Sequence, residues 1–553
     1  MEYIRKILKR IDGRGYKAYK ELEGEKYHSG NVEIRIAKIQ GDPFATPSII
    51  EAKTGISDIL RPVDEGWSRA LSDLASRILH RVTRRYTRKC GTASSCEIST
   101  PRPGPWILVR SQAEVVDKNL LLRVYAGLPA DGRRVKGREA ERLLLEALPR
   151  VFGEVSEWFE SHTDEALRHV HISLDQDALR SWLYDNGYVA FIRDGAILPR
   201  ESSLSQRPLE NAIRFESPSE LRVSVDLPYA GTVHGLALGG GVNVVTGGGF
   251  HGKTTLIEAI QDGIYNHVEG DGREYVVALR ETFLVRAEDG RIVTSVDISP
   301  MIERLPWGRD TRGFSTLDAS GSTSMAASIV EAIQLGAKLL LIDEDTSATN
   351  LLYKDAFMSK LIPDDPLIPL TLTARSLARR LGVSLIIVAG ASSAFIPLSD
   401  QIVLMRKYKP YIPDVNGNNG LPASPPEKPF RKPADRVITR VPEYDKVKVI
   451  VGKAVFKSRG RIQEIDLRLN PRFVEAGQAR MAVGMLKYLA RKRRKGLAYD
   501  LVGELENIWM KDRFRGFFRV ISPDLTFVYP EDALWMANRL LGLEAEVLLP
   551  SIL

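Results

Sequence analysis

Apolar residues recur along this chain at two spacings, and the spacings divide it into helices and strands. Near the start, Tyr3, Ile4, Leu8 and Ile11 fall on one helical face. Val32, Ile34 and Ile36 then alternate with polar residues as a half-buried strand does. Leu71, Leu74, Ile78 and Val82 predict a helix within 61–89. WILVR and LLLRVYAGL predict two strands within 105–127, and Leu143, Leu144, Leu148 and Val151 stripe helices around 137–162. RHVHI reads as a strand that would put His169 and His171 on one face. Residues 186–200 read as a strand, an Asp-Gly turn and a second strand.

The middle of the chain changes character. Strands at 221–227 and 233–238 lead into VNVVTGGGFHGKTTLIEAI, residues 242–260, a β-branched apolar run that breaks into glycines and resumes at helical spacing. Short apolar runs at 276–279, 283–285 and 292–296 suggest antiparallel ribbons. A Ser/Thr/Gly stretch and a helix over 325–335 precede LLLIDED, a buried strand ending in acids, and two more strands follow at 385–388 and 401–404. The reading is therefore an N-terminal α+β domain over 1–216 and an α/β core over 217–407. A Pro/Gly-rich linker or loop over 408–435 and a mixed basic C-terminal domain over 436–553 complete it.

At 553 residues the chain is too long for one core, and its 44% hydrophobic and 27% charged composition is that of a globular protein. A net charge of +8 favours anionic partners, and its distribution matters more than the total. Two basic runs stand out. RVTRRYTRK, with Arg81 at one end and Lys89 at the other, interleaves an aromatic, as suits single-stranded nucleic acid. RKRRK, with Arg491 first and Lys495 last, is the densest charge run and costs self-repulsion unless an anion relieves it. A solvated helix face accounts for either run equally simply. The two cysteines, Cys90 and Cys96, form no zinc pattern and read as plain thiols in a reducing compartment, with a disulfide between them left open. No run approaches the roughly 18 apolar residues that a membrane span needs, so a cytoplasmic, membrane-free protein is expected.

The chemistry gathers at Gly247, Gly248, Gly249, Phe250, His251, Gly252, Lys253, Thr254 and Thr255. This is G-x-x-x-x-G-K-[ST] between a strand and a helix, the context a phosphate-binding loop requires. Glycines let successive N–H groups converge on one phosphate, the helix N-terminus adds partial positive charge, Lys253 reaches the β- and γ-phosphates, and Thr254 offers its hydroxyl to Mg²⁺. A second acid must complete the site. Asp343 at the end of LLLID would hold Mg²⁺ through water, and Glu344 would polarise the attacking water.

These residues resemble the ATP-binding-cassette (ABC) ATPases. DEDTSATN, starting at Asp343, is similar to that superfamily's DEPTSALD; Ser320, Gly321 and Ser322 stand where its LSGGQ signature would; and DQIVL at 400–404 resembles its DRIIVL. The interval from Ser320 to Asp343 is the one found there. In that superfamily the signature meets ATP bound on a second subunit, so the resemblance implies a head-to-tail homodimer. RGYKAYKELEG, QGDPFATPS, GLPADGR, GGGFHGKTTLIEAI, GDGREYVV and EAGQAR, in that order, are similar to one soluble branch, the "predicted ATPase of the ABC class". That likeness implies an ABC-type P-loop ATPase core with α+β flanks, ATP and Mg²⁺ as ligands, and coupling to RNA or single-stranded nucleic acid. The chain departs from the pattern too. Where a switch histidine should follow the 385–388 strand it has AGASS, which leaves Ser392 as a substitute or turnover slow. Asp297 is a weak stand-in for the glutamine that helps hold the metal, and Tyr229 is either a base-stacking residue or a turn aromatic. The missing histidine also motivates an alternative, a nucleotide-gated RNA-binding scaffold with little hydrolysis.

Overall fold

The computed structural model describes the chain except Leu204, residues 416–423, Arg459 and residues 549–553. It forms two compact units, one of Met1–Leu174 with Asp512–Phe527, the other of Asp175–Lys511 with Val528–Leu553.

In the first unit an antiparallel sheet runs Lys26–Ser29, Val32–Lys38, Ser48–Gly55, Asn119–Ala126, Ile98–Ser99, and Ala113–Val116 also pairs on Asn119–Ala126. Val32, Ile34 and Ile36 turn inward, as their alternation predicts. WILVR is buried but lies outside the ladder; the strand expected there is Ala113–Val116. Helix Glu65–Tyr86 starts where the Asp64 side chain accepts from the Trp67 N–H, and it buries Leu71, Leu74, Ile78 and Val82. The same helix buries a charge. Asp73 is fully buried and pairs with Arg77 at 2.8 Å, with the Arg110 guanidinium, and with His169 Nε2 at 3.0 Å. Burial alone would push this carboxyl up, but Arg77, Arg110 and His169 outweigh it and hold it well below the usual range.

His169 and His171 lie in helix Thr163–Asn186, not in a strand. Two residues apart on a helix, they diverge, His169 to Asp73 and His171 to the Trp67 ring, so they do not share one face. Cys90 and Cys96, read as free thiols, are joined in a disulfide; Ala93 and Cys96 at φ 52 and 64 turn the short loop back on itself. The first basic run is answered in part by the unit's own side chains. Arg85 meets Glu154 at 2.6 Å, Arg88 meets Glu139 at 2.8 Å, the Tyr86 hydroxyl donates to Glu154, and Arg81 lies over the Trp158 ring.

The second unit is built on a six-stranded sheet in the order Thr282–Val285, Leu339–Asp343, Ser384–Ala389, Val242–Gly247, Gln401–Arg406, Lys409–Tyr411. The first five are parallel and the last is antiparallel. Leu339–Asp343 and Ser384–Ala389 are buried at every position, which is why they read as unbroken apolar runs. A second, antiparallel sheet joins Arg222–Leu227, Gly231–Gly239, Tyr188–Arg193 and Val276–Ala278. Because Tyr188–Arg193 is zipped to Gly231–Gly239, the division falls at Leu174 and Asp175 rather than at 216. Of the three expected ribbons, Val276–Ala278 is antiparallel, Thr282–Val285 is instead a parallel edge strand of the central sheet, and Val293–Val296 pairs antiparallel with Phe314–Thr316. The second strand expected within 186–200 is not formed; beyond Gly195 the chain is held as a loop by bonds to Phe215.

Residues 408–435 are no free linker where described. Lys409–Tyr411 is a sheet strand, the Phe430 N–H donates to Ser376 Oγ with its ring fully buried, and the Ala434 N–H reaches Asp297. Residues 416–423 of that expected linker lie outside the described residues. The C-terminal part carries two three-stranded sheets and helices Ala476–Arg491 and Pro530–Ala537. Buried bonds join it to the parallel-sheet core: Arg472, paired with Asp532, donates to the carbonyls of Arg280 and Thr282 at 2.8 and 2.9 Å, and Arg539 Nε donates to Glu288 Oε2 at 2.9 Å.

Candidate functional site

The site lies where the parallel strands end. Strand Val242–Gly247, buried between Ser384–Ala389 and Gln401–Arg406, delivers the glycine loop, and helix Lys253–Asp262 leaves it. The loop uses its glycines where the backbone demands them. Gly247 has φ 138, and a Cβ there would sit 2.2 Å from the Met405 carbonyl oxygen; Gly252, at φ 92, caps the helix. Phe250, at φ 59, is almost wholly exposed at the loop tip. His251 Nδ1 lies 3.3 Å from the Met405 carbonyl oxygen. Lys253 Nζ donates to the carbonyls of Gly247 and Gly248, both at 2.8 Å, and so lies over the loop.

The next strand but one supplies the acids. Asp343 ends Leu339–Asp343, nearly buried, with Oδ2 3.5 Å from Thr254 Oγ1 and Oδ1 accepting from the Asp345 N–H. Burial pushes its carboxyl up, against the Asp345 N–H, the Arg286 charge and the Thr254 hydroxyl. Glu344 Oε2 accepts from the N–H groups of Gly390 and Ala391 at 2.8 and 3.0 Å. Those amides stand where a switch histidine was expected. Ser392, the suggested substitute, accepts from the Ala394 N–H within its own turn. Oxygen donors from Thr254 and Asp343, a glycine cradle and a lysine together fit a triphosphate with Mg²⁺.

Other expected residues lie apart. Ser320 caps helix Gly321–Gln334, accepting from the Thr323 N–H, and Ser322 Oγ donates to Asn350 Oδ1 at 2.9 Å. Their bonds run to that segment and not to the glycine loop. Asp297 Oδ1 accepts from the Ser299 N–H and Oδ2 from the Ala434 N–H, at 3.0 and 2.8 Å. The Tyr229 N–H donates to Asp175 in the turn after Arg222–Leu227. One residue escaped sequence reading. Arg286 follows strand Thr282–Val285, acts on Asp343 and Glu258 by charge, and has a buried Nε with no hydrogen-bond partner among the described residues. Only the pairing of its strand with Leu339–Asp343 brings it there.

Residues 162–422 match the model of the ABC ATPase P-loop domain, and residues 1–157 match the model described as the N-terminal part of ATPases of the ABC class. An uncharacterised protein of Methanocaldococcus jannaschii is 36% identical over 191 residues, 32% of this chain and 42% of that relative's length. Among the described residues no helix is long and apolar enough to cross a membrane. The two family models adjoin near residue 160, and the chain belongs to the ATPases of the ABC class.

Proposed function

We propose that this chain binds ATP with Mg²⁺ and hydrolyses it, working as a head-to-tail homodimer coupled to RNA or single-stranded nucleic acid. The observation that carries the reading is the meeting of Lys253, Thr254, Asp343 and Glu344 at the ends of two parallel strands. Lys253 would exchange its two loop carbonyls for β- and γ-phosphate oxygens. Thr254 and Asp343 would hold Mg²⁺, which when bound neutralises charge on the phosphates. Glu344, fixed through one oxygen by the Gly390 and Ala391 amides, would orient water toward the γ-phosphorus. The water–phosphorus bond forms as the bond to the ADP oxygen breaks, and the water proton leaves through Glu344. Arg286 is positioned to offset negative charge beside Asp343.

Dimerisation draws support from the Ser320-capped helix start, whose free N–H groups suit a phosphate presented by a second copy. Nucleic-acid binding draws support from the exposed Arg491, Lys492, Arg493 and Lys495. A cytoplasmic setting goes with both. Glu344→Gln should leave ATP bound while turnover falls at least about 100-fold, measured by phosphate release and by nucleotide retention on a filter. Equal turnover in variant and parent would remove Glu344 from this role. The second reading, a nucleotide-gated scaffold with little hydrolysis, is favoured by backbone amides standing in the histidine's place. Single-turnover kinetics with labelled ATP separates the two.

A further inference from the structure

Beside the glycine loop lies a cavity of about 310 Å³ that the reading above leaves unused. Leu198, Leu209, Ile213, Met405 and Tyr408 line it, and three of these are large apolar side chains left open to solvent: Leu209, Ile213 and Tyr408 are 39%, 47% and 53% exposed. Exposed apolar groups gathered round one hollow mark a surface that is covered when in use.

Its position says by what. Gly252 and Thr255 line the cavity, whereas Lys253, Thr254 and Asp343 do not. In such loops the lysine meets the β- and γ-phosphates while the backbone N–H groups hold the α- and β-phosphates. The cavity therefore opens at the α-phosphate end of the cradle, where sugar and base must leave it.

The wall is held there at a cost. Strands Gln401–Arg406 and Lys409–Tyr411 pair with Arg406 opposite Lys409, so only Lys407 and Tyr408 make the turn. Both have positive φ, 49 and 66, as this kind of two-residue hairpin requires. Asn and Gly adopt that shape easily; a lysine followed by a tyrosine does not. The outcome is a ring pressed on the loop: a Cβ added to Gly252 would lie 3.3 Å from Tyr408 Cδ1. Lys409 Nζ meets Glu216 Oε2 at 2.8 Å, tying the hairpin to the segment that carries Ile213.

We propose that this cavity takes the purine base of the bound nucleotide, with Tyr408 as its stacking wall, in place of the upstream Tyr229. The proposal rests on the ATP-binding reading, and its test keeps the two apart. Binding of ATP and of inorganic tripolyphosphate, each with Mg²⁺, is titrated calorimetrically to the full-length parent, Tyr408→Ala and Tyr408→Phe. Tyr408→Ala should bind ATP about tenfold or more weakly, given the usual worth of a base on an aromatic face. Its tripolyphosphate affinity should stay within about twofold, and Tyr408→Phe should match the parent for both. Unchanged ATP affinity in Tyr408→Ala, or an equal loss of ATP and tripolyphosphate, overturns the base pocket and leaves the phosphate loop standing. A parent that binds neither probe overturns the ATP-binding reading itself.

Discussion

At Gly247 the backbone turns with φ 138 against the Met405 carbonyl, a place that no side chain can enter. Gly247→Ala adds both a clash and backbone strain of about 1–3 kcal/mol, so the loop must reshape. Nucleotide affinity should fall roughly 10- to 100-fold with the melting temperature little changed, as calorimetry and thermal scanning would show. The residues of this loop were legible from sequence because their spacing along one short segment is itself the geometry. Asp343 and Glu344 were legible for the same reason, as acids closing a buried apolar run. At Asp297 the sequence shows a carboxylate but not the two amides that bond it. Arg286 and Tyr408 were invisible, since one depends on which strand lies beside its own and the other on the curl of a two-residue turn.

Helix Glu65–Tyr86 shows what a single element can hide. Its apolar stripe predicts it correctly, yet it also buries a carboxylate, Asp73, answered by Arg77, Arg110 and His169. Asp73→Asn would leave buried cations unanswered and should cost about 3–5 kcal/mol, read as a lower denaturation midpoint with unchanged slope. The carboxyl's folded-state pKa is depressed, so its contribution is present above the unfolded carboxylate range and lost as pH falls through the folded value. Acid unfolding of the first unit should thus come later in the parent than in the variant. Helix Thr163–Asn186 was misread for a reason of scale: HVHI alternates like a strand over a few residues. The helical stripe of Ala166, Val170, Leu179 and Leu183 emerges only over its whole length.

Across the whole molecule the two basic runs part company. In the first, two of five cations, Arg85 and Arg88, pair with Glu154 and Glu139, while in the second only Arg494 is held, by Glu504 at 2.7 Å, and Arg491, Lys492, Arg493 and Lys495 are exposed. Replacing those four exposed residues with Gln should flatten the salt dependence of single-stranded RNA binding by up to about 0.7 in slope per lost phosphate contact. Neutralising the first run should change it less. A filter-binding series across salt concentrations measures both, and an unchanged slope would make the second run mere solvated surface. The core's fold was legible as a whole because parallel strands buried on both faces leave apolar runs that stand out. Sheet membership across residue 216 was not, since Tyr188–Arg193 pairs with Gly231–Gly239 beyond it.

The Arg539–Glu288 pair bears on how this protein can be handled. The second family match ends at residue 422, which invites a cut just beyond it. Such a fragment would leave Glu288 shut inside without its cation and Phe430's niche bare. The residues beyond the match share buried packing with those inside it, and trimming them would yield sticky protein.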